Sequence, residues 1–291
     1  MPPRQDIEDL VLSRTLSGFI SAKWLRLSIT VPLASAIAGF SFIATPGMAS
    51  ASSPVPLAGG NHAKSLVLND TGAKLKSWNQ TASLCSPNPG YIANGAVSTD
   101  ASGDVKLTTT GQHGSCVGLL SPGAYSSGVI EARVNFPALP GKPGTIANWT
   151  GFWLSGKTWP NDGELDAVEV EPVDATNAVT WHSGTQSAPF VATTSPYFAN
   201  RLPIKAPNLK PGWHTVDIVY AKGYFAIYYD GKLFTSYTNS QVTGHPLNIY
   251  VTMTNTPDNS WVKSRIGASP INSASSPSTL ALRYLRIWSY R

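Results

Sequence analysis

From residue 65 onward, short runs of β-branched and aromatic residues alternate with clusters of glycine, proline and asparagine. No segment keeps the 3.6-residue hydrophobic period of an amphipathic helix, so the pattern predicts strands joined by tight turns. The strongest runs predict strands at residues 105–109, 129–136, 213–220, 224–229 and 279–288. Asp230-Gly231, between two such runs, is typical of a two-residue hairpin turn. Many antiparallel strands without a repeat predict an all-β domain, either a two-sheet sandwich or a jelly roll.

Composition and charge exclude several other classes of protein. Only 13% of the 291 residues are charged and 10% are aromatic, which is too apolar for a disordered chain. The net charge of +5 comes from scattered basic residues without a cluster or stripe, so we expect no nucleic-acid partner. No glycine-rich phosphate loop follows a strand and no G-x-S-x-G nucleophile elbow is present. Nucleotide chemistry and serine hydrolysis therefore lack their motifs.

The N-terminal region resembles an export signal. Lys23 and Arg26 precede a largely apolar stretch over residues 27–44, and Ala49-Ser50-Ala51 offers a small-residue cleavage site. The pattern predicts a signal peptide over residues 1–51; a membrane anchor is the alternative, which polar interruptions of the stretch disfavour. Residues 52–64 are rich in serine, proline and glycine and predict a linker before a single domain over 65–291. We expect a secreted monomer that does not contact the membrane after cleavage.

Cys85 and Cys116 are the only cysteines. In an oxidising compartment they could pair, and we expect this disulfide, with two separate buried thiols as the alternative. Two cysteines cannot form a zinc site alone, and the five histidines show no metal-ligand spacing. We therefore expect no metal and no cofactor.

Residues 164–171 hold four acids among apolar side chains. In a strand, alternate side chains share a face, so Glu164 and Asp166 point the same way, whereas plain alternation would put Glu169 on the opposite face. A β-bulge at Ala167-Val168 adds one residue and returns Glu169 to the face of Glu164. Like charges on one face repel, so the arrangement indicates a ligand or reaction that uses the carboxylates. The alternative is a solvated acidic face.

Two carboxyl groups flanking a sugar linkage are what glycoside hydrolysis requires. One attacks the anomeric carbon, and the other donates and then accepts a proton. A third acid between them can hold a proton and orient the nucleophile. Trp149, Trp153 and Trp159 crowd the same segment, and aromatic faces are the usual platform for the apolar face of a sugar ring. Core packing is the alternative for any one of them, and it is the preferred interpretation for at least one, above all for Trp153.

The segment Glu164-Leu165-Asp166-Ala167-Val168-Glu169 resembles the signature of glycoside hydrolase family 16. It has the bulged form found in laminarinases and agarases rather than the shorter form of lichenases. Other segments resemble strands of the same family, namely residues 126–133 (SSGVIEAR), 151–154 (GFWL), 159–160 (WP), 213–215 (WHT), 229–231 (YDG) and 284–288 (YLRIW). The similarity runs from about residue 65 to residue 291.

The resemblance implies a curved antiparallel β-sandwich, a jelly roll, with an open substrate cleft and a retaining double displacement. By position, Glu164 would be the nucleophile, Asp166 its assistant and Glu169 the general acid/base. The candidate substrate-binding residues are Trp159, Trp149, Trp153, Arg133, His182 and Trp261, with a structural role as the alternative for His182. Relatives often have an aspartate in the last strand that helps bind calcium; Arg283 stands there, so the resemblance gives no reason to expect that metal.

These observations lead to one preferred function and two alternatives. The preferred function is a secreted endo-acting glycoside hydrolase on a polysaccharide substrate, a β-glucan, most readily at β-1,3 linkages. The first alternative is the same mechanism on another polysaccharide, such as a galactan. The second is a non-catalytic carbohydrate-binding jelly roll, which the presence of all three acids disfavours.

Overall fold

The computed structural model describes residues 55–56, 62, 65–78, 91–159, 161–170, 177–182, 209–255 and 276–290, without the side chains of 177, 178, 180 and 182. Within these ranges the chain forms one short helix, α1 (Gly72–Lys76), and fifteen strands. The strands are β1 (Ser65–Thr71), β2 (Ala96–Thr99), β3 (Val105–Thr109), β4 (Cys116–Tyr125), β5 (Gly128–Phe136), β6 (Ala138–Leu139), β7 (Lys142–Ile146), β8 (Trp149–Ser155), β9 (Glu164–Val170), β10 (Asn177–His182), β11 (Gly212–Ala221), β12 (Tyr224–Tyr229), β13 (Lys232–Thr238), β14 (Leu247–Thr254) and β15 (Ser278–Ser289).

Two antiparallel sheets form a β-sandwich. The larger sheet has the order β13-β12-β11-β5-β15-β3-β2, with β1 also paired to β15, and the smaller has the order β10-β9-β8-β14-β4. All five strands predicted from the sequence are present; β3 and β12 have the predicted bounds, and β5, β11 and β15 extend by one or two residues. The prediction of an all-β antiparallel jelly roll is confirmed.

The predicted hairpin turn joins β12 to β13. Asp230 and Gly231 have φ values of 50° and 74°, the left-handed pair that a tight hairpin turn requires. The carboxylate of Asp230 also accepts a hydrogen bond from the backbone N–H of Thr215 at 2.9 Å. The turn is therefore tied to the neighbouring strand β11.

Strict alternation on β5 decides which side chains enter the sandwich. Ile130, Ala132, Val134 and Phe136 belong to the core between the sheets. The intervening residues, Glu131, Arg133 and Asn135, therefore point to the opposite side, which we call the outer face of the eight-stranded sheet. The five-stranded sheet likewise has a core side and an outward side, and we call the latter the cleft face.

Part of the predicted linker belongs to the folded domain. Val55 is 2% exposed and packs on the outer face against Val129, Val219, Ala226, Tyr228 and Trp288. Pro56 forms a β-bridge with His62, and its carbonyl accepts a hydrogen bond from the Tyr228 hydroxyl at 3.4 Å. The linker prediction is wrong at these residues because Val55 covers apolar surface.

The predicted signal peptide over residues 1–51 and the rest of the linker lie outside the described residues. In the part of the chain that the structure describes, no helix is long and apolar enough to cross a bilayer.

Candidate active site

Strand β9 carries the predicted bulge. Its neighbour β8 pairs Trp153 with Asp166 and Phe152 with Val168, so Ala167 has no partner there. On the other side, β10 pairs Thr180 with Asp166 and Ala178 with Glu169, so the same extra residue appears between two further pairs. The extra residue bends the strand and shifts the alternation of side chains by one position. Glu169 therefore points to the same side as Glu164 and Asp166.

The bulge places all three predicted carboxylates on the cleft face. Glu164, Asp166 and Glu169 lie opposite Ser155, Trp153 and Gly151, which alternate along β8 and therefore share one side. The other side of β9 enters the core through Leu165, Ala167, Val168 and Val170. Asp166 is 7% exposed, whereas Glu164 and Glu169 are partly exposed.

The carboxyl group of Glu164 has a strongly raised pKa. Burial raises its pKa well above the ordinary glutamate value, and the neighbouring charge of Asp166 raises the pKa further. A hydrogen bond from the indole of Trp159 acts in the opposite direction and lowers the pKa. Glu164 and Asp166 are therefore close enough for the charge of one carboxylate to act on the other. A paired acid of this kind in a cleft is typical of a catalytic site.

The three predicted tryptophans differ in their surroundings. Trp159 is 41% exposed and donates to Glu164, so it lies beside the carboxylates. Trp153 lies on the cleft face with its ring stacked on Tyr250 at 4.1 Å between centroids and 15° between planes. Its indole N–H donates to the Thr252 hydroxyl at 3.0 Å, so core packing is excluded for Trp153. Trp149 shares this face at the far end of β8, opposite Thr254.

Gly151 makes room for the Trp153 ring. A Cβ atom at position 151 would lie 3.0 Å from Trp153 Cδ1 and 3.0 Å from the Thr252 hydroxyl oxygen. Both distances are shorter than ordinary van der Waals contact, so a side chain at 151 would displace the indole.

Strand β14 supplies cleft residues that the sequence argument did not identify. Leu247, Ile249, Val251 and Met253 enter the core, and the alternate residues Asn248, Tyr250, Thr252 and Thr254 face the cleft. The signal was present as a clean apolar–polar alternation over residues 247–254. Tyr250 is close enough to Glu164 for that carboxylate to raise the tyrosine pKa, with burial as the larger cause.

Arg133 does not lie in the cleft, and that prediction is wrong. It points to the outer face, where its guanidinium donates to the Thr215 hydroxyl at 3.2 Å and lies 3.7 Å from the carboxylate of Asp230. The whole core separates this face from Glu164. The reason is alternation, since Ala132 and Val134 on either side of Arg133 both enter the core.

Three further predictions fall wholly or partly outside the described residues. The backbone of His182 pairs with Glu164, but the His182 side chain lies outside the described part, as does all of Trp261. Cys85 is also outside it, so the disulfide stays a prediction. Cys116 is buried at the end of β4, and its sulfur accepts a hydrogen bond from the Thr254 hydroxyl at 3.3 Å.

Arg283, at the position where relatives often have a calcium ligand, holds an acidic partner. Its guanidinium donates two hydrogen bonds of 3.0 Å to the two carboxylate oxygens of Asp104, which is buried. It also stacks over the Trp213 ring at 4.4 Å from the centroid. Among the described residues no group of three or more histidine, cysteine, aspartate or glutamate side chains could hold a metal ion.

Comparison with known proteins supports the same family. Residues 90–201 match the model of the XgeA-like catalytic GH16 domain. An endo-1,3(4)-beta-glucanase of Arthroderma benhamiae is 38% identical over 66 residues, which are 23% of this chain and 14% of that protein. A "probable endo-1,3(4)-beta-glucanase" of Aspergillus niger is 31% identical over 94 residues, 32% of this chain and 12% of that one. The matched segments thus span about one seventh or less of these relatives' lengths.

Solved structures share the fold at low sequence identity. The endo-beta-1,3-glucanase of Pyrococcus furiosus superposes with a TM-score of 0.56 and 17% identity over 81% of this chain and 98% of that one. SCLam, a non-specific endo-beta-1,3(4)-glucanase from family GH16, superposes with a TM-score of 0.54 and 18% identity. The superposition covers 78% of this chain and 91% of that one. The family match includes the carboxylate strand, and the resemblance of this chain to glycoside hydrolase family 16 is therefore confirmed.

Proposed function

We propose that this protein is an endo-acting glycoside hydrolase that cleaves a β-glucan and prefers β-1,3 linkages. The observation that carries the proposal is the bulge in β9, which puts Glu164, Asp166 and Glu169 on one cleft face. A merely solvated acidic strand has no need of an added residue that turns a third acid toward the other two. The aromatic rings of Trp153, Trp159 and Tyr250 beside them supply surfaces for sugar rings.

The proposed mechanism is a retaining double displacement, which needs one attacking carboxylate and one proton donor. Glu164 in its charged form attacks the anomeric carbon while Glu169 protonates the departing sugar oxygen. Glu169 then removes a proton from water, which releases the covalent intermediate from Glu164. Asp166 lies between the two glutamates on the same face, where it assists the nucleophile Glu164. The hydrogen bond from Trp159 favours the same charged form.

The choice of β-glucan rests on the relatives. The two curated proteins described above are named as endo-1,3(4)-beta-glucanases, and the similar solved structures include enzymes that act on β-1,3 linkages. Each of these names belongs to the relative. This chain has its own set of cleft residues on β14, so its linkage preference has to be measured.

The test is product release from a panel of polysaccharides by purified residues 52–291. Laminarin, mixed-linkage β-glucan, agarose and xyloglucan are incubated with enzyme, and soluble oligosaccharides are separated and identified. We expect oligosaccharides from laminarin, and proton NMR of the first product should show the β anomer if configuration is retained. Release from agarose alone would overturn the β-glucan substrate. Binding to one glucan without any release would overturn the hydrolase.

We also propose export to the extracellular space and a Cys85–Cys116 disulfide. The apolar stretch and cleavage site at the N-terminus support export, and an oxidising compartment permits the bond. Mass spectrometry of the secreted protein after alkylation tests both together. A mature N-terminus near residue 52 and no alkylated cysteine without reductant are the expected results, and alkylation of both cysteines would exclude the disulfide.

A further inference from the structure

Tyr229 is the last residue of β12 and reaches across the core from the larger sheet. Its hydroxyl donates a hydrogen bond to the backbone carbonyl of Ala167 on β9. The side chain is 8% exposed and packs against Phe234 at 5.1 Å between ring centroids. The phenol is therefore held inside the sandwich, and its oxygen ends at the strand that bears the carboxylates.

Ala167 is the residue that the bulge leaves outside both strand pairings. On one side β8 pairs with its neighbours Asp166 and Val168, and on the other β10 passes from Asp166 to Glu169. A buried carbonyl that has lost its place in the ladder is costly unless another donor replaces the missing partner. The Tyr229 hydroxyl is such a donor, so it stabilises the bulged form of β9 over the regular form.

We propose that Tyr229 is a positioning residue for Glu169. Its hydrogen bond to Ala167 holds the extra residue in place, and the extra residue keeps Glu169 on the face of Glu164. The inference rests on the proposed hydrolase function. Glu164 and Asp166 precede the bulge and are fixed by pairing with Ser155 and Trp153. Loss of the Tyr229 hydrogen bond should therefore affect Glu169 selectively.

The substitution Tyr229→Phe removes the hydroxyl and leaves the packed ring. The chain offers a matched control in Tyr220→Phe, since Tyr220 is also a buried core tyrosine whose hydroxyl donates to a backbone carbonyl, that of His245 at 3.1 Å. That carbonyl lies in the segment before β14 and not at the bulge. Both variants remove a buried tyrosine hydroxyl with its hydrogen bonds, and only Tyr229→Phe removes the bond to Ala167.

Two substrates with different leaving groups separate misplacement of Glu169 from general destabilisation. Glu169 is needed most when the departing oxygen is a poor leaving group. Tyr229→Phe should lower kcat/KM on laminarin by roughly 10- to 100-fold, as small misplacements of catalytic groups do. On a dinitrophenyl oligoglucoside, the leaving group is dinitrophenolate, which departs without a proton. The first step on this substrate should therefore stay near the wild-type rate. Tyr220→Phe should leave the ratio of the two rates unchanged.

Hydrogen exchange of the peptide that contains residues 164–170 gives a readout independent of activity. We expect faster exchange there in Tyr229→Phe than in Tyr220→Phe at equal distance below each variant's Tm. Equal exchange in both variants, or an equal fall of both substrates' rates in Tyr229→Phe, would overturn the positioning role. If the wild-type protein hydrolysed no substrate, the proposed function would fail, and the exchange comparison would still test the role of Tyr229 in the bulge.

Discussion

Each sheet of the sandwich carries a pair of interacting acids on its outward side. On the cleft face, Glu164 and Asp166 are two residues apart on one strand, and burial and mutual repulsion raise the pKa of Glu164. On the outer face, Glu131 and Asp217 lie directly opposite each other on β5 and β11. Burial, the charge of Glu131 and a hydrogen bond with it raise the pKa of Asp217 to about 8.

The two pairs of acids differ in how accessible they are and in which groups surround them. The Arg286 guanidinium donates to Glu131 at 3.4 Å, and Asp217 is 1% exposed. The cleft pair has a third acid, Glu169, on the same face, where the bulge in β9 places it. Trp159, which is 41% exposed, lies beside the pair. A buried pair of acids with a raised pKa is therefore not enough to identify an active site; access and a third group distinguish the two.

The largest expected effect separates the two pairs directly. Glu164→Gln should lower kcat/KM on the preferred glucan by about 10⁴-fold or more, because it removes the attacking carboxylate. Glu131→Gln makes the same chemical change at the outer pair and should keep the wild-type rate per folded molecule. Initial rates of reducing-sugar release, with the folded fraction measured by circular dichroism, provide the comparison. Equal losses in the two variants would remove the distinction between the faces.

Glu169→Gln should have the next largest effect. The variant loses the proton donor, so hydrolysis of the polysaccharide should fall by about 10²- to 10⁴-fold. A dinitrophenyl oligoglucoside should still form the covalent intermediate rapidly, and a burst of dinitrophenol would reveal it. Azide, a small nucleophile that needs no general base, should then restore turnover. A uniform loss on both substrates without a burst would contradict the assignment of Glu169.

A smaller effect on KM tests whether Tyr250, and not Arg133, contacts the substrate. Tyr250→Ala should raise the KM for laminarin roughly three- to tenfold, since one aromatic contact in the cleft is lost along with the support of Trp153. Arg133→Met, which keeps the aliphatic stem on the outer face, should leave KM at the wild-type value. Steady-state kinetics on both variants measure this. A raised KM in Arg133→Met alone would return Arg133 to the substrate site.

The smallest expected effect is a pH dependence of stability from Asp217. Its pKa is raised from 3.8 in the unfolded chain to about 8 in the folded protein, so the folded state holds the proton more tightly. Stability from this group is present in full at low pH and is lost as pH rises from near 4 to near 8. Asp217→Asn removes this loss, so its Tm relative to the wild type should rise by roughly 8–15 °C between pH 5 and pH 8. A constant difference in Tm would contradict the raised pKa.

The sequence was sufficient for features that depend on local pattern. The runs of β-branched and aromatic residues predicted the strands, and Asp230-Gly231 predicted the hairpin turn. The bulge was predictable because the acids and apolar residues of 164–170 fit two faces only with one added residue. Each of these conclusions needs only the two-residue period of a strand and the backbone preferences of glycine and aspartate.

What the sequence could not supply depends on which strands become neighbours. No local pattern around Arg133 says that its side chain lies across the core from the carboxylates. The pairing of Glu131 with Asp217 joins strands that are about 80 residues apart in the chain, and no local pattern specifies it. Tyr229 at the bulge was missed for the same reason, since its contact crosses from one sheet to the other.

The place of β15 in the sheet determines when this domain can fold. This last strand lies in the interior of the larger sheet, paired with β5 on one side and with both β3 and β1 on the other. Until β15 leaves the ribosome, β1, β3 and β5 each lack one neighbour, so the larger sheet cannot be completed before residues 278–289 have been synthesised. A polypeptide that is threaded through a narrow membrane channel has to be unfolded, and completion of the sheet only after β15 is made agrees with the export proposed above.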